Sequence, residues 1–300
     1  MHNFCFNESG IHLSHDRNEN PSQSKFYIHT HPHTELYCFV SGAAEFYVEG
    51  TTYSLEPGDI LLMRPGEAHY VLVDEKVPYE RFCMHFDTGI FKSLDLEHVL
   101  TKAIFQRKAG VHNRYRMGAS GIDAMKRMTE QNNRISILGN LILLLQTVSE
   151  AFSAQQEQQS EQDTLVSQVI RYINQNLGKD LSLQKLCDRF YASRTQLCRM
   201  FRQATGISVG RYVTGKRLLK ARELLLQGVK PTEVYAICGY GDYSTFFRAY
   251  TRLFGHSPRQ EQEGSYAFSP DTMIFIGQNV GVLAEDEYLG MQYQAGHTER

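Results

Sequence analysis

Three hundred residues of ordinary hydrophobic content predict two domains, each able to bury a core. The formal net charge of −2 hides an asymmetry: residues 163–263 hold sixteen Lys and Arg against eight Asp and Glu, and the remainder holds fifteen against twenty-five. That excludes an evenly charged chain and suggests one part that meets a polyanion and one that does not.

Cys5, Cys38, Cys83, Cys187, Cys198 and Cys238 form no CxxC pair, which favours buried thiols in a reducing cytosol over disulfides or zinc. The N-terminus "MHNFCFNESG" has no export pattern, and "ISILGNLILLLQTV" is too short and mixed to span a bilayer. A cytoplasmic protein without a membrane partner is expected.

Residues 25–88 read as strands and tight turns: "KFYIHTH", "ELYCFVSG", "AEFYVEG", "TTYSLEPGD", "ILLMRPG", "HYVLV" and "YERFCMHFD". Seven short strands at this spacing suggest a sandwich or barrel. Among them His29, His31, His33 and Glu35 fall within seven positions, a pattern that can hold a transition metal or line a pocket. Strand alternation puts Tyr37 and Phe39 on the side of Glu35, and Arg64 and His85 are further candidates for that pocket.

After Asp87 the period becomes helical. Leu138, Leu141, Leu145, Val148 and Phe152 step by 3, 4, 3 and 4, an a/d seam of two heptads that either packs on its own domain or joins two copies of the chain. Residues 154–163, "AQQEQQSEQD", read as a linker. Residues 164–258 look helical with brief breaks. In the tail, 264–300, "TMIFIGQNVGVL" has the pattern of a strand pair and no assigned role.

The basic half carries the most specific pattern. In "LSLQKLCDRFYASRTQLCRMFRQATG", Asp180 or Ser182 can cap a short helix with Leu183, Leu186 and Phe190 inward. "YAS" turns the chain, and Ser193 can cap a second helix with Leu197, Met200, Phe201 and Ala204 inward and Arg194, Arg199 and Arg202 outward. A short turn followed by an arginine-faced helix suits a reader of the major groove. The pattern recurs from Pro231, with a glycine turn at Gly239 and a helix near Asp242–Phe254 carrying Arg248 and Arg252. Between the two lies one longer helix with Lys216, Arg217, Lys220 and Arg222.

These residues resemble the AraC/XylS family of bacterial transcription regulators over about a hundred positions. The match runs through L-x-R-x-F at 197–201, G-x-S at 206–208, K-R-L-x-x-A-R-x-L-L at 216–225, G-Y-x-D-x-S-x-F-F-R at 239–248 and F-G-H-S-P at 254–258. The resemblance implies two helix-turn-helix units on a linker helix, with Arg194, Thr195, Cys198, Arg199 and Arg202 facing DNA in the first. Tyr243, Ser244, Thr245 and Arg248 face it in the second. It also implies RNA polymerase as a partner. Three positions depart from the family: Cys187 and Tyr235 stand where alanine is usual, and Pro231 where isoleucine is usual. The customary ending is blurred to "PRQEQ". The second unit is therefore either splayed or repacked around Tyr235.

The strand-rich half resembles a cupin barrel. Its first motif is His29-x-His31-x3-Glu35-x6-Gly42; its second is partial, Gly58 then Pro65-Gly66-x2-His69. In enzymatic cupins the residues matching His29, His31, Glu35 and His69 hold iron, manganese or zinc; in regulators such residues line an effector pocket. The chain has no nucleophile elbow, phosphate loop or HExxH. The reading is therefore a regulator and not an enzyme, without a required cofactor, a divalent metal remaining open. Its partners are double-stranded DNA, a small effector such as a sugar, and a second copy of the chain. A cupin metalloenzyme (a dioxygenase or sugar isomerase) and a regulator that has lost ligand sensing are the alternatives.

The expected fold is multidomain α+β. A cupin-like sensor barrel spans 1–120, a helical dimerisation or packing segment 121–153 and a linker 154–163. A double helix-turn-helix domain spans 164–263 and a tail 264–300.

Overall fold

The computed structural model describes residues 2–8, 10–23, 26, 28–31, 33–94, 96–107, 110–130, 133–155, 164–263, 272–275 and 281–284. The chain divides into two compact units, residues 1–26 with 31–162, and residues 27–30 with 163–300. Most of the expected linker, 156–163, lies outside the described residues.

The strands run in chain order as β1 (His2–Glu8), β2 (Ile11–Asn18), β3 (His29–Thr30), β4 (Thr34–Ser41) and β5 (Ala44–Val48). They continue as β6 (Thr51–Ser54), β7 (Asp59–Met63), β8 (His69–Val73), β9 (Tyr79–Phe86) and β10 (Arg114–Arg116). In the first unit one antiparallel sheet has the order β1-β2-β9-β4-β7-β10, and β8, β5 and β6 lie side by side in another. Among the described residues these are two sheets and not the closed barrel that the sequence suggests. Tight turns pass the chain from sheet to sheet. At the one after β4, Gly42 has φ +124°, and a Cβ there would sit 2.9 Å from the Pro78 carbonyl oxygen, so only glycine fits.

Alternation gives the larger sheet two different faces. Leu13, Leu36, Cys38, Ile60, Leu62, Phe82, Met84 and Phe86 share a core with the helices. The opposite face carries Glu35, Tyr37, Phe39, Leu61 and Met63 from β4 and β7, in register with His85, Cys83 and Arg81 of β9. Tyr37, Phe39, Leu61, Met63 and Tyr79 pack there with Phe26, Phe46, Val48, Tyr53 and Val71.

Short helices α1 (Glu97–Leu100) and α2 (Lys102–Phe105) precede α3 (Ala119–Glu130) and α4 (Arg134–Gln155). By length and hydropathy α4 passes as a membrane span. Its Ile137, Leu141, Leu144, Leu145, Val148 and Phe152 are instead buried in the first unit's core. The heptad seam is thus interior packing; only Leu138 of the seam is partly exposed. Ile135 and Leu143, off the seam, are 86% and 62% exposed. Cys5 is exposed, against the expected burial of the thiols, and so is Cys198, one of the positions expected to face DNA.

The second unit contains α5 (Leu165–Gln175), α6 (Leu183–Phe190), α7 (Arg194–Thr205), α8 (Val209–Leu226), α9 (Pro231–Ile237), α10 (Tyr243–Phe254) and α11 (Pro258–Gln262). Their starts follow from short polar side chains: Thr164, Ser193, Ser208, Asp242 and Ser257 each accept a backbone N–H of the first turn. Ser182 occupies the N-cap of α6 without a side-chain cap, and its own N–H donates to Asp180 Oδ1 (2.8 Å). α6 with α7 and α9 with α10 are the two helix-turn-helix units. Pro231 opens α9, where its fixed φ suits a first helical residue. The Tyr235 ring lies edge-on to Tyr243, 6.0 Å between centroids, so the second unit is repacked around the tyrosine. In the tail, β11 (Thr272–Phe275) and β12 (Gly281–Ala284) form the strand pair, and β11 also pairs with β3. Residues 264–271, 276–280 and 285–300 lie outside the described ones.

Because Leu145 is fully buried, Leu145→Ala should lower the urea-unfolding free energy of the first unit by about 2–5 kcal/mol. Leu143→Asp, on the exposed side of the same helix, should leave it within about 0.5 kcal/mol.

Candidate functional site

The inward face of the larger sheet concentrates chemistry around Glu35. Its carboxylate is buried, with Oε2 2.8 Å from His31 Nε2, 2.8 Å from His69 Nε2 and 3.6 Å from His85 Nε2. The Cys83 thiol donates to Oε1 at 3.2 Å. Burial opposes ionisation of Glu35, but the imidazoles beside it, His69 foremost, hold its carboxyl well below the ordinary value. Burial pushes His31 down to about 4, with the neighbouring His85 adding to the effect.

The other ring nitrogens of the two nearest histidines are spoken for. His31 Nδ1 lies 2.9 Å from the His33 carbonyl oxygen and His69 Nδ1 lies 2.8 Å from that of Glu67. Carbonyl oxygens only accept, so each Nδ1 carries the proton. In the neutral ring Nε2 is then a lone pair, and in the protonated ring it donates. Both Nε2 atoms face the same Glu35 oxygen, so a shared proton, which depresses the carboxyl, or a metal cation satisfies the three atoms. The same second-sphere contact from Nδ1–H to a carbonyl orients metal-bound histidines. Ligand atoms of His31, Glu35 and His69 lie within 4.8 Å of one another, as do those of Glu35, Cys83 and His85, so the donor set fits a divalent transition metal.

The remaining expected residues distribute as follows. His29 opens β3, in the stretch that segregates with the second unit. Tyr37 and Phe39 belong to the aromatic interior, where the Tyr37 ring stands 4.6 Å from Phe46 and its hydroxyl hydrogen-bonds that of Tyr79. Arg64 is not part of the group: its contacts are Glu67 (3.4 Å) and the Arg107 carbonyl (3.3 Å). Three residues join unannounced. Phe46 stacks on His69, His12 stacks on His85, and Arg81 is buried against the rings of Phe26 and Tyr79 beside Asp16 (3.6 Å). Arg81 Nη1 has no hydrogen-bond partner among the described residues. Extending the alternation of "YERFCMHFD" back from His85 reaches Cys83 and Arg81, so the signal was present.

In the second unit Arg194, Thr195, Cys198, Arg199 and Arg202 are exposed on one side of α7. On α10 Ser244, Thr245 and Arg248 are exposed, while Tyr243 is half-buried among Tyr235, Phe246 and Phe247. Among the described residues Arg194, Arg199, Arg202 and Arg248 make no ion pair, so their charges face solvent. Arg217 and Arg222 of α8 are committed internally, to the carbonyls of Leu177 and Lys179 and to Glu261.

Comparison with known proteins places both halves. Residues 15–173 match the AraC-like ligand binding domain, and residues 186–264 match a helix-turn-helix domain. The chain belongs to the AraC family. As an AraC-family member it is a transcription regulator that joins a ligand-binding domain to a helix-turn-helix DNA-binding domain. The HTH-type transcriptional activator RhaS of Citrobacter koseri is 24% identical over 261 residues, covering 81% of this chain and 89% of that one. The Msm operon regulatory protein of Streptococcus mutans is 22% identical over 227 residues, covering 74% and 81%. Among solved structures, ToxT from Vibrio cholerae is 12% identical, covering 85% of this chain and 99% of that one, with a TM-score of 0.38.

Acid should loosen the first unit of this regulator. His31 titrates near 4 when folded and near its ordinary 6.5 when unfolded, and Glu35 is likewise depressed below 4.5, so in both cases the unfolded chain binds protons first. Stability present above about pH 6.5 should therefore fall as pH drops toward 4, by on the order of 3 kcal/mol for the His31 shift. Melting curves of chelator-treated protein from pH 7 to 4.5 measure this, and His31→Gln should flatten the dependence.

Proposed function

We propose that this regulator responds to a small polyhydroxylated effector held between the sheets at Glu35, His31, His69 and His85. The observation that carries the reading is the buried, ionised carboxylate ringed by imidazoles: such a group is costly to bury and adds nothing to apolar packing. Carboxylate and imidazole nitrogens pair with hydroxyls, and Tyr37, Phe39 and Phe46 supply flat apolar walls. Arg81 adds a buried donor to that side. The chain works in the cytoplasm as a homodimer, for which Ile135 and Leu143 offer exposed apolar side chains, and acts on RNA polymerase at its promoters. Activation is the favoured sense, since RhaS is a transcriptional activator. The domain limits proposed are sensor 1–120, packing helices 121–153, linker 154–163, DNA-binding domain 164–263 and tail 264–300.

The Nδ1 contacts of His31 and His69 favour a second reading of the same cluster, in which a divalent transition metal sits on His31, Glu35 and His69 with His85 beside it. Such an ion would offer a Lewis-acidic seat for effector oxygens. Elemental analysis of untagged protein separates the two readings. Near-stoichiometric metal that disappears in His31→Ala and Glu35→Gln establishes the ion. Metal-free protein whose transcriptional response is lost in His31→Ala, with DNA affinity unchanged, establishes direct effector binding.

DNA recognition is assigned to Arg194, Thr195, Cys198, Arg199 and Arg202 of α7 and to Tyr243, Ser244, Thr245 and Arg248 of α10. Binding should fall with salt at a log–log slope of roughly −4 to −5 if about five phosphates are neutralised. Arg199→Ala should weaken specific binding by about 1–3 kcal/mol and relax preference at one or two base pairs, as a bidentate guanine contact requires. Equal weakening on every sequence in a filter-binding series would instead assign Arg199 to a phosphate.

A further inference from the structure

Arg217 lies half-buried on the linker helix α8, and its guanidinium is tied to backbone. Nε donates to the Leu177 carbonyl (2.9 Å) and Nη2 to the Lys179 carbonyl (2.7 Å), both in the turn between α5 and α6 that precedes the first helix-turn-helix unit. The same group lies 5.9 Å from the ring centre of Tyr240, in the turn of the second unit. The two turns touch through backbone. A Cβ on Gly178 would come within 2.6 Å of the Ile237 carbonyl oxygen. One on Gly239, whose φ is +77°, would come within 2.6 Å of both Leu177 O and Arg217 Nη2. Both glycines are small because the turns meet with no room for a side chain, and Arg217 fastens the junction. Beside it runs a cleft of about 860 Å³ lined by residues of both units and of the linker helix, among them Cys198 of α7, Thr214 of α8 and Tyr240.

We propose that Arg217 is the positioning residue that sets the spacing of the two recognition helices, and hence the operator spacing that the protein accepts. The proposal rests on the reading that α7 and α10 both enter DNA. Successive major grooves on one face lie one helical turn apart, about 34–36 Å or 10–10.5 base pairs. One inserted base pair moves the second site by about 3.4 Å along the axis and turns it by about 35°. With the two turns fastened to each other at this junction the pair of helices resists that change; without the Arg217 bonds it follows more readily. Arginine suits the task because its planar fork reaches two carbonyls at once, which a lysine ammonium does not reproduce.

The test uses full-length protein and a duplex selected by the wild-type chain from a randomised library. Affinities are measured on that duplex, on versions with one or two base pairs inserted between the two contacted segments, and on versions with either segment scrambled. Arg217→Met is the principal variant; Arg217→Lys, which keeps the charge, guards against a chain that does not fold. Wild type should lose at least about tenfold on one insertion, the scale of a single mismatched contact. The variants should lose no more than about threefold on the insertion while binding the half-scrambled duplexes as wild type does. Merely destabilised helices would weaken every duplex alike, which overturns the proposal. An Arg217→Met or Arg217→Lys protein with the wild-type insertion penalty overturns it too. A wild type indifferent to the insertion overturns the two-helix reading and the proposal with it.

Discussion

Glu67 and Arg107 meet inside the first unit as a two-pronged ion pair, 2.6 Å on each arm, and the candidate site is aligned from there. Burial alone would raise the Glu67 carboxyl, but Arg107 beside it holds it below the ordinary value. The same carboxylate accepts the backbone N–H groups of Arg64 and Gly110 and the amide of Asn113, while Arg107 also donates to the Leu62 carbonyl. Both Glu67 oxygens are thus hydrogen-bonded several times over, which offsets their desolvation; losing one partner of such a buried pair costs about 3–5 kcal/mol. The turn from β7 into β8 is thereby fixed. Because the Glu67 carbonyl orients the His69 ring, the direction in which His69 Nε2 points is set by an ion pair outside the cluster it serves.

The second unit has its own buried acid. Glu261 accepts from Arg222 (3.1 Å) and from the Tyr250 hydroxyl (3.0 Å), and its Oε2 lies 2.6 Å from His256 Nε2. It ties the linker helix to the last helix of the second helix-turn-helix unit and to the segment "PRQEQ", whose departure from the family ending hid a structural hub. Arg217 at the middle of α8 and Arg222 toward its C-terminal end thus keep α8 in register with its neighbours, while Arg194, Arg199, Arg202 and Arg248 of α7 and α10 face solvent.

The helix-turn-helix half was legible because its signals are local. Ser193 and Gly239 mark turns within a few residues of the helices they bound, and the inward positions follow one period. The β half was legible only where apolar and polar residues alternate in the ordinary sense, as in "ELYCFVSG". Strand β2 escaped because His12, Ser14 and Asp16 pair with His85, Cys83 and Arg81 on a buried face, so polar residues occupy the interior. The inversion that concealed the strand is the chemistry of the site. The heptad of α4 was visible, but spacing does not say which partner the seam meets, and here it meets its own sheet. Arg107 pairs with Glu67 across forty positions and Arg217 with Leu177 across the same distance, separations at which no periodicity survives.

The polar interior of the first unit has a consequence for the lifetime of the protein. Desolvating a carboxylate and three imidazoles costs the native state free energy, and an occupant that binds only the folded chain widens the gap to the unfolded one. At a hundredfold excess over its dissociation constant, an occupant deepens that gap by about 2.7 kcal/mol. Proteases act on the opened chain, so a shift of that size changes steady-state abundance several-fold. If its effector sits there, as proposed above, such a regulator counts it twice, once in the conformation it adopts at the promoter and once in how many copies survive to reach it.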